Sequence, residues 1–331
     1  MSAVLFTCAG QRVDIVRAFK DVRAFTVAAD ANPLAPALHH ADHYLVPPAV
    51  TEQRYVPALA EAVAEHDVEL VVPLTDLDMT VLAERRGELE ALVLLPEVEV
   101  VERTNDKFLT HVFLEERGIG SPAAWLPDEL PTDLPFPVLV KPRRGFGSRN
   151  IFRANDRLEL DFFLARAPVP SFVEAFCAGD EFSIDVFCDL DGRCLNAIPR
   201  TMIESKGGES IKGMTIRDDS LVDLGRRVAE TLGVKGPATV QCFRTGPGHH
   251  RVTDVNLRFG GGFPLPLAAG GDYPALALAL ARGETPDPRV GWFQEGVVMT
   301  RFFSEICLAT AEDGRLRPIG EEAAEPVGSD D

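Results

Sequence analysis

The stretch Pro137–Phe182, PVLVKPRRGFGSRNIFRANDRLELDFFLARAPVPSFVEAFCAGDEF, decides which fold the sequence predicts. A short apolar run that ends at Lys141 predicts a strand, and a second strand-like run begins at Ile151. A glycine-bearing loop separates them, so the stretch predicts strand, glycine hinge and strand. The pattern matches neither a Walker loop nor a dinucleotide fingerprint, because both motifs open a helix.

The glycine loop could bind a polyphosphate. Gly145 and Gly147 would let the backbone approach an anion closely, and Ser148 adds a hydroxyl group. The basic residues around the loop are Lys141, Arg143, Arg144 and Arg149. Two interpretations stay open at this point: an exposed hairpin with solvated arginines, and a phosphate-binding loop.

The charge of the chain is uneven. The formal net charge of -18 argues against nucleic acid and against anionic membranes as partners. From Lys141 to Arg157, however, six basic residues accompany a single acid, Asp156. A local positive patch in an acidic chain suits an anionic ligand such as ATP.

The cysteine pattern and the apolar runs predict a cytoplasmic protein. The six cysteines show no CxxC spacing, which favours reduced core residues over a disulfide framework. No apolar run is long enough to span a bilayer, and no basic region precedes the first hydrophobic strand as in a signal peptide.

The first hundred residues predict a β-α-β arrangement. Strands are expected at Val4–Thr7 and Phe25–Ala29, and a third at Glu69–Pro73. Asp76 follows the third strand, where ligands of open α/β sheets bind, so it could face a substrate. Alternatively, Thr75 or Asp76 caps a helix that runs to Glu90.

Lys107 opens an amphipathic helix, Phe108–Arg117, which Gly118 closes. A lysine in the first turn opposes the helix dipole, and a bound anion would compensate for that placement. A solvated lysine without a role is the alternative.

The strand Glu181–Cys188 alternates, with Glu181, Ser183 and Asp185 on one face. Farther on, residues 198–219 are polar and contain glycines, which predicts a long irregular segment of the functional or mobile kind. The cations of this segment are Arg200, Lys206, Lys212 and Arg217. They suggest a site for an acidic acceptor, although a solvated loop is nearly as well supported.

A second hairpin places Asp254, Asn256 and Arg258 on one strand face, opposite Gln241 or Thr239. Carboxylate and amide oxygens suit Mg²⁺, and an adjacent arginine suits a phosphoryl group. The alternative is the polar outer face of an antiparallel sheet. The glycine run at 260–262 favours function, because it implies a close approach of the backbone to a neighbour.

In order along the chain, Lys107, VLVKPRRGFGS, FVEAFCAGDEFS, VQCF and DVNLRFGGG resemble the ATP-grasp superfamily. The most similar branch is that of the carbamoyl-phosphate synthase ATP-binding lobes and the stand-alone carboxylate-amine ligases. The segments VLFTCAGQRVDIVRAFK and VVPLTDLD are similar to the domain that precedes the ATP-grasp fold in those ligases. The resemblance implies an α/β and α+β fold: a Rossmann-like pre-ATP-grasp domain at 1–103, grasp subdomains at 104–173 and 174–320, and an acidic, disordered tail at 321–331.

The resemblance also implies roles for single residues. For the nucleotide, it implies that Lys107 and Lys141 bind the α- and β-phosphates and that the loop residues Arg144, Gly145, Gly147 and Ser148 fold over the polyphosphate. Glu174 would bind the adenine amino group and the backbone of Ala175 and Phe176 the ring edge, while Glu181 would bind the ribose. The implied ligands for Mg²⁺, or Mn²⁺ in its place, are Gln241, Asp254 and Asn256, with Asp254 one methylene shorter than the usual glutamate. The implied catalytic cations are Arg258, Lys141 and Lys212, and the candidate substrate residues are Asp76, Arg200, Lys206 and Arg217.

The implied reaction is ATP-dependent ligation of a small carboxylate to an amine through an acyl phosphate, which releases ADP and phosphate. A carboxylate or carbamate kinase and a non-catalytic nucleotide-binding module are the alternatives. A homodimer is the candidate assembly.

Overall fold

The computed structural model describes residues 1–145, 150–206, 209–311, 314 and 316–319 of the 331 residues, and at 205, 206 and 209 the backbone alone. The predicted acidic tail at 321–331 therefore lies outside the described residues.

The amino-terminal unit is a five-stranded parallel sheet in the order β3-β2-β1-β4-β5. Its elements are β1 (Ala3–Thr7), α1 (Val13–Asp21), β2 (Phe25–Ala29), a 3-10 helix (Pro36–His40), β3 (His43–Leu45), α2 (Tyr55–Glu65), β4 (Val68–Pro73), α3 (Met79–Glu84), a second 3-10 helix (Arg86–Glu88) and β5 (Leu92–Val93). The central strand β1 is entirely buried, as expected for a parallel sheet covered on both faces. The strand order reverses between β1 and β4, so the carboxyl ends of these two strands form a switch-point crevice. The predicted β-α-β start is confirmed.

The next unit is a small antiparallel sheet in the order β6-β9-β7-β8, preceded by two helices. Its elements are α4 (Val98–Asn105), α5 (Lys107–Glu115), β6 (Ala124–Trp125), β7 (Val138–Pro142), β8 (Phe152–Ala154), α6 (Arg157–Arg166) and β9 (Ser171–Ala175). Val138 pairs with Ala154 across β7 and β8, which confirms the two predicted strands. A separate small core, including Val138, Leu160 and Val173, lies beneath this sheet.

The last unit contains a four-stranded antiparallel sheet in the order β11-β10-β14-β15 and a three-stranded sheet in the order β12-β13-β16. Its elements are β10 (Asp180–Cys188), β11 (Cys194–Thr201), β12 (Glu204–Lys206), β13 (Glu209–Met214), α7 (Asp219–Leu232), β14 (Gly236–Gly246), β15 (His249–Asn256), α8 (Pro264–Ala268), α9 (Tyr273–Ala281), β16 (Val298–Thr300), β17 (Leu308–Thr310) and β18 (Leu316–Pro318).

The two faces of β10 differ as the alternation predicts. Phe182, Ile184 and Val186 join the core beneath α7. Gly225 of α7 allows this close packing, since a Cβ there would lie 2.5 Å from Cγ2 of Ile184. The opposite face carries the polar residues of the strand, and it is the face on which the candidate site forms.

Two expectations for local structure are wrong. The segment 198–219 is not irregular, because β11 continues to Thr201 and β12 pairs with β13 in a hairpin. The sequence of this hairpin is mostly polar, so no hydrophobic alternation marked its strands. The helix expected to reach Glu90 ends at Glu84, and α4 was not predicted at all.

Two large cores join the amino-terminal sheet to the last unit. One includes Leu5 and Ile184, and the other includes Phe6, Phe19 and Phe259. The rings of Phe19 and Phe259 meet edge to face, with centroids 6.1 Å apart. The amino-terminal sheet is therefore packed firmly against the large sheet.

Within the described ranges, no helix is long and apolar enough to cross a membrane.

Candidate functional site

The end of β7, with Lys141 and Arg143, and the polar edge of β15 face one cleft. Lys107 donates its backbone N–H to the carbonyl oxygen of Arg143 at 2.8 Å and its Nζ to Oδ1 of Asp254 at 2.6 Å. Nζ of Lys141 lies 3.4 Å from the carbonyl oxygen of Thr253. The two motifs on which the sequence interpretation depends therefore meet in space.

The edge of the cleft is built from the register of β14 and β15. Gln241 lies opposite Asp254, and Thr239 lies opposite Asn256. Nδ2 of Asn256 donates to Oδ2 of Asp254 at 3.4 Å. Burial acts to raise the pKa of Asp254, but the ammonium groups of Lys107 and Lys141 outweigh it and hold that pKa below its ordinary value.

The donor set on this edge fits a metal ion that arrives with a nucleotide. In the part of the chain that the structure describes, no group of three or more His, Cys, Asp and Glu side chains could hold a metal alone. The edge offers one carboxylate, Asp254, and the two amides Gln241 and Asn256. Mg²⁺ commonly takes one or two carboxylates together with substrate phosphates, so this set suits Mg²⁺ bound with a polyphosphate.

A buried ion pair fixes Lys141. Its Nζ donates to Oε2 of Glu174 at 2.9 Å, and the same oxygen lies 3.0 Å from Nε2 of His111. Glu174 is only 1% exposed. Burial acts to raise its pKa, but the charges of Lys141 and His111 hold the pKa below the ordinary value. Ser121 completes the chain of contacts, since its Oγ lies 2.5 Å from Nδ1 of His111.

Two backbone N–H groups at the end of β9 already have hydrogen-bond acceptors within the protein. The N–H of Ala175 donates to the carbonyl oxygen of Ala123 at 2.8 Å, and the N–H of Phe176 donates to that of Pro137 at 3.3 Å. These two N–H groups already have acceptors within the protein, and reading of the adenine edge by the backbone of Ala175 and Phe176 stays a prediction. Beyond β9, burial raises the pKa of Glu181 against the opposing charges of Arg200 and Lys141.

The switch-point crevice of the amino-terminal sheet adds side chains to the cleft. Nε of Arg258 lies 3.3 Å from Oδ1 of Asp76, and its Nη2 lies 3.4 Å from Oδ1 of Asn256. Arg12 donates from Nη1 to the carbonyl oxygen of Phe259 at 2.8 Å and from Nη2 to that of Gly260 at 3.0 Å. Asp76 thus reaches the predicted catalytic arginine.

The glycine run after β15 lies against a buried polar network. Asp185 accepts from Nε of Arg200 at 2.7 Å and from the hydroxyl of Thr239 at 3.0 Å. A Cβ at Gly260 would lie 2.4 Å from Oγ1 of Thr239, and a Cβ at Gly262 would lie 2.5 Å from Cζ of Arg200. The close approach predicted for this run is confirmed, and the neighbours are side chains of the protein.

Two predicted site residues are engaged elsewhere. Lys212 pairs with Glu204 at 2.6 Å on the β12–β13 hairpin, where both side chains are about half exposed. Arg217 donates to the carbonyl oxygens of Gly291 and Phe293 at 3.1 and 2.8 Å, so its guanidinium ties a loop in place. The contacts of Lys212 and Arg217 give no support to their predicted roles.

The glycine loop itself is described only at its start. Arg144 and Gly145 are exposed, and Gly145 has a φ of 134°, which favours glycine. Gly147, Ser148 and the side chain of Lys206 lie outside the described residues.

Sequence reasoning missed several residues that shape the cleft. Asp106 caps α5 through the N–H of Leu109 and accepts from Nε of Arg143 at 2.9 Å, which ties the hinge to the helix. An aspartate directly before a predicted helix was a usable signal for this cap. His111 and Arg12 gave no such signal, because their partners are far away in the sequence.

Known proteins resemble the chain in two separate regions. A family described as the PylC-like N-terminal domain matches residues 4–95, and a family described as ATP-grasp in the biosynthetic pathway with Ter operon matches residues 168–302. The carbamoyl phosphate synthase large chain of Methanosarcina acetivorans is 25% identical over 197 residues. That match covers 53% of this chain and 18% of the relative, so the chain spans under a fifth of the relative's length.

Solved structures show the same fold. The L-amino acid ligase of Bacillus licheniformis has a TM-score of 0.67 at 18% identity, and the match covers 85% of this chain and 74% of that one. The biotin carboxylase domain dimer of Hydrogenobacter thermophilus 2-oxoglutarate carboxylase, in complex with MgADP, ADP and bicarbonate, has a TM-score of 0.68 at 16% identity and covers 86% and 70%. At these identities the likeness concerns the fold. Together with the family matches over residues 4–95 and 168–302, it shows that the chain has an ATP-grasp fold preceded by a domain similar to the PylC-like N-terminal domain.

Proposed function

We propose that this protein is an ATP-dependent carboxylate-amine ligase that forms an amide bond through an acyl phosphate. The observation that carries the proposal is the cleft in which Lys107 and Lys141 lie against the Asp254–Asn256–Arg258 edge, with Nζ of Lys107 2.6 Å from Asp254. Cations on one wall and a carboxylate, an amide and an arginine on the other are what phosphoryl transfer from a magnesium nucleotide requires.

In this proposal the nucleotide lies between the small sheet and the large sheet. Lys107 and Lys141 bind the α- and β-phosphates, while Glu181 holds the ribose. Glu174 acts mainly by orienting Lys141, because its Oε2 already pairs with that lysine at 2.9 Å. Phosphate oxygens replace the carboxylate that now pairs with Lys107, and Asp254 becomes available to a cation.

Asp254, Asn256 and Gln241 would hold Mg²⁺, and Mn²⁺ in its place, which supplies positive charge to the phosphate oxygens when bound. Arg258 directs its guanidinium at the phosphoryl group being transferred. Asp76 and Asn256 fix the orientation of this arginine through contacts of 3.3 and 3.4 Å.

The chemistry takes place in two steps. A carboxylate oxygen attacks the γ-phosphorus, the bond from that phosphorus to the β-γ bridging oxygen breaks, and ADP leaves. The amine nitrogen then attacks the carbonyl carbon, the bond from this carbon to the phosphate oxygen breaks, and phosphate departs while the amine loses a proton to solvent. The protein contributes positioning and charge neutralisation rather than a covalent intermediate of its own.

The test is ADP release from MgATP across a panel of amino acids and small carboxylates, offered singly and in pairs. We expect stimulation that requires two partners, with an amide found by mass spectrometry. ADP release with a carboxylate alone and an accumulating acyl phosphate would identify a kinase instead. Nucleotide binding without turnover for any pair of the panel would contradict the ligase proposal.

A further inference from the structure

Arg200 is a buried cation, and one of its N–H groups has no hydrogen-bond partner among the described residues. It is 2% exposed, and its Nε donates to Oδ2 of Asp185 at 2.7 Å. Its Nη1 is buried and has no hydrogen-bond partner among the described residues. Leaving a buried N–H group without an acceptor destabilises the folded protein, and more so in a charged group, so this unpaired N–H points to an anion that it binds.

The guanidinium is held rigidly. Asp185 accepts from Arg200 with one oxygen and from Thr239 with the other, so the carboxylate cannot turn to satisfy Nη1 as well. On the other side the guanidinium lies against Gly262, where a Cβ would lie 2.7 Å from Nη1 and 2.7 Å from Nη2. Such packing fixes the direction of the unpaired N–H before any ligand binds.

Arg200 lies on the polar face of the large sheet. The residue opposite it on β10 is Ser183, which in turn lies opposite Gln241 of β14. Oγ of Ser183 is also buried and has no partner among the described residues. This face is the one that carries Glu181 and the metal edge, so an anion bound by Arg200 would share the cleft with the nucleotide.

The position across the sheet separates Arg200 from the triphosphate. The proposed phosphate-binding cations Lys107 and Arg258 contact the end of β15, whereas Arg200 belongs to β11. In the order β11-β10-β14-β15, three strand spacings of about 4.8 Å place these two strands roughly 14 Å apart. The guanidinium of Arg200 is held on Asp185 of β10 and against Gly262, so it lies closer to β15 than this backbone spacing, on the β11–β10 side of the cleft.

We propose that Nη1 of Arg200 binds an oxyanion of the carboxylate substrate, and this inference rests on the proposed ligase function. Among the described cations of segment 198–219, Lys212 and Arg217 serve the hairpin and a loop, and Arg200 is the one assigned here to an acidic acceptor.

The test measures binding of inorganic phosphate, by isothermal titration calorimetry, to protein saturated with magnesium and the non-hydrolysable ATP analogue AMP-PNP. The analogue fills the γ-phosphate position, so phosphate reports the remaining oxyanion site. We expect Arg200→Met to weaken phosphate binding by about tenfold or more, as loss of one charge-assisted hydrogen bond implies, with AMP-PNP affinity unchanged within about twofold. The matched control Arg193→Met removes an arginine that is about half exposed near the start of β11 and should change neither affinity.

The variant Arg200→Met/Asp185→Asn guards against misfolding, because it leaves no unpaired buried carboxylate. If the double variant melts near the wild-type temperature and binds phosphate as wild type does, the proposal is wrong. A loss of AMP-PNP affinity in Arg200→Met would assign the arginine to the γ-phosphate and overturn the acceptor role. Wild-type protein that binds AMP-PNP but no phosphate also contradicts the inference, whereas failure to bind AMP-PNP at all contradicts the ligase proposal itself.

Discussion

Neighbouring carboxylates of the cleft respond differently to pH. Lys107 and Lys141 hold the pKa of Asp254 below its ordinary value despite burial, whereas burial raises the pKa of Glu181. As pH falls, Glu181 therefore takes up a proton first and Asp254 stays charged. The two proposed roles, ribose binding and metal binding, can be separated by this difference.

We expect ADP affinity to weaken as pH falls from about 7 to 5, because a protonated Glu181 is a poorer acceptor for ribose hydroxyls. Glu181→Gln should bind more weakly at pH 7 and show little further change on acidification. Calorimetric titrations at both pH values provide the measurement. A wild-type affinity that is flat over this range would remove Glu181 from the ribose site.

Arg258 is the residue whose loss should affect turnover most selectively. Arg258→Ala should lower kcat by about two to three orders of magnitude, as removal of a preorganised charge at a transferring group typically does, while ADP affinity remains. Steady-state kinetics and ADP titration measure the two quantities. Arg157→Ala is the control, because that arginine forms an exposed ion pair with Asp161 on α6 and should leave both unchanged. An Arg258→Ala enzyme of normal rate would exclude the arginine from the mechanism.

At the scale of elements, the sequence predicted those strands and turns that depend on local sequence patterns. The strands β7 and β10 and the β14–β15 hairpin follow from short apolar runs, two-residue alternation and glycine turns. The same alternation predicted that this face of β15 meets Gln241 or Thr239, and the observed register pairs Gln241 with Asp254 and Thr239 with Asn256. The β12–β13 hairpin was missed because its sequence is mostly polar and shows no hydrophobic period.

Contacts between distant elements could not be predicted in the same way. Arg12 reaches Phe259 and Gly260, and Asp76 reaches Arg258, only because the amino-terminal sheet packs on the large sheet. No local pattern records that packing. The glycine run was recognised as a close approach, but the neighbours of Gly262 became known only from the fold.

Gly262→Ala tests how closely the turn after β15 packs on the Arg200 network. The added Cβ would lie 2.5 Å from Cζ of Arg200 and would push aside a guanidinium that Asp185 holds. We expect a loss of about 1–3 kcal/mol in the free energy of unfolding, measured with urea. Gly87→Ala is the matched control, since a Cβ there meets nothing within 4 Å. Equal stability of the two variants would show that the turn moves freely.

At the scale of the molecule, the hydrophobic cores group the chain into one large body and one small one. The two large cores bind the amino-terminal sheet and the large sheet together, whereas the small sheet has its own core of a few residues around Val138 and Val173. The nucleotide cleft proposed here lies between these two bodies. The boundaries predicted at 103 and 173 and the homodimer both stay predictions.

Because fewer apolar contacts hold the small sheet, it should open more often than the large one. In hydrogen-deuterium exchange, we expect β7 and β9 to exchange faster than β10 and β14, although both sheets are antiparallel. MgADP should slow exchange in β7 and β9 and change β10 less, since a ligand bound across the cleft joins the small sheet, through Lys141, to the larger body. Slow and equal exchange of all four strands, with no response to MgADP, would mean that the two bodies open as one and that no nucleotide bridges them.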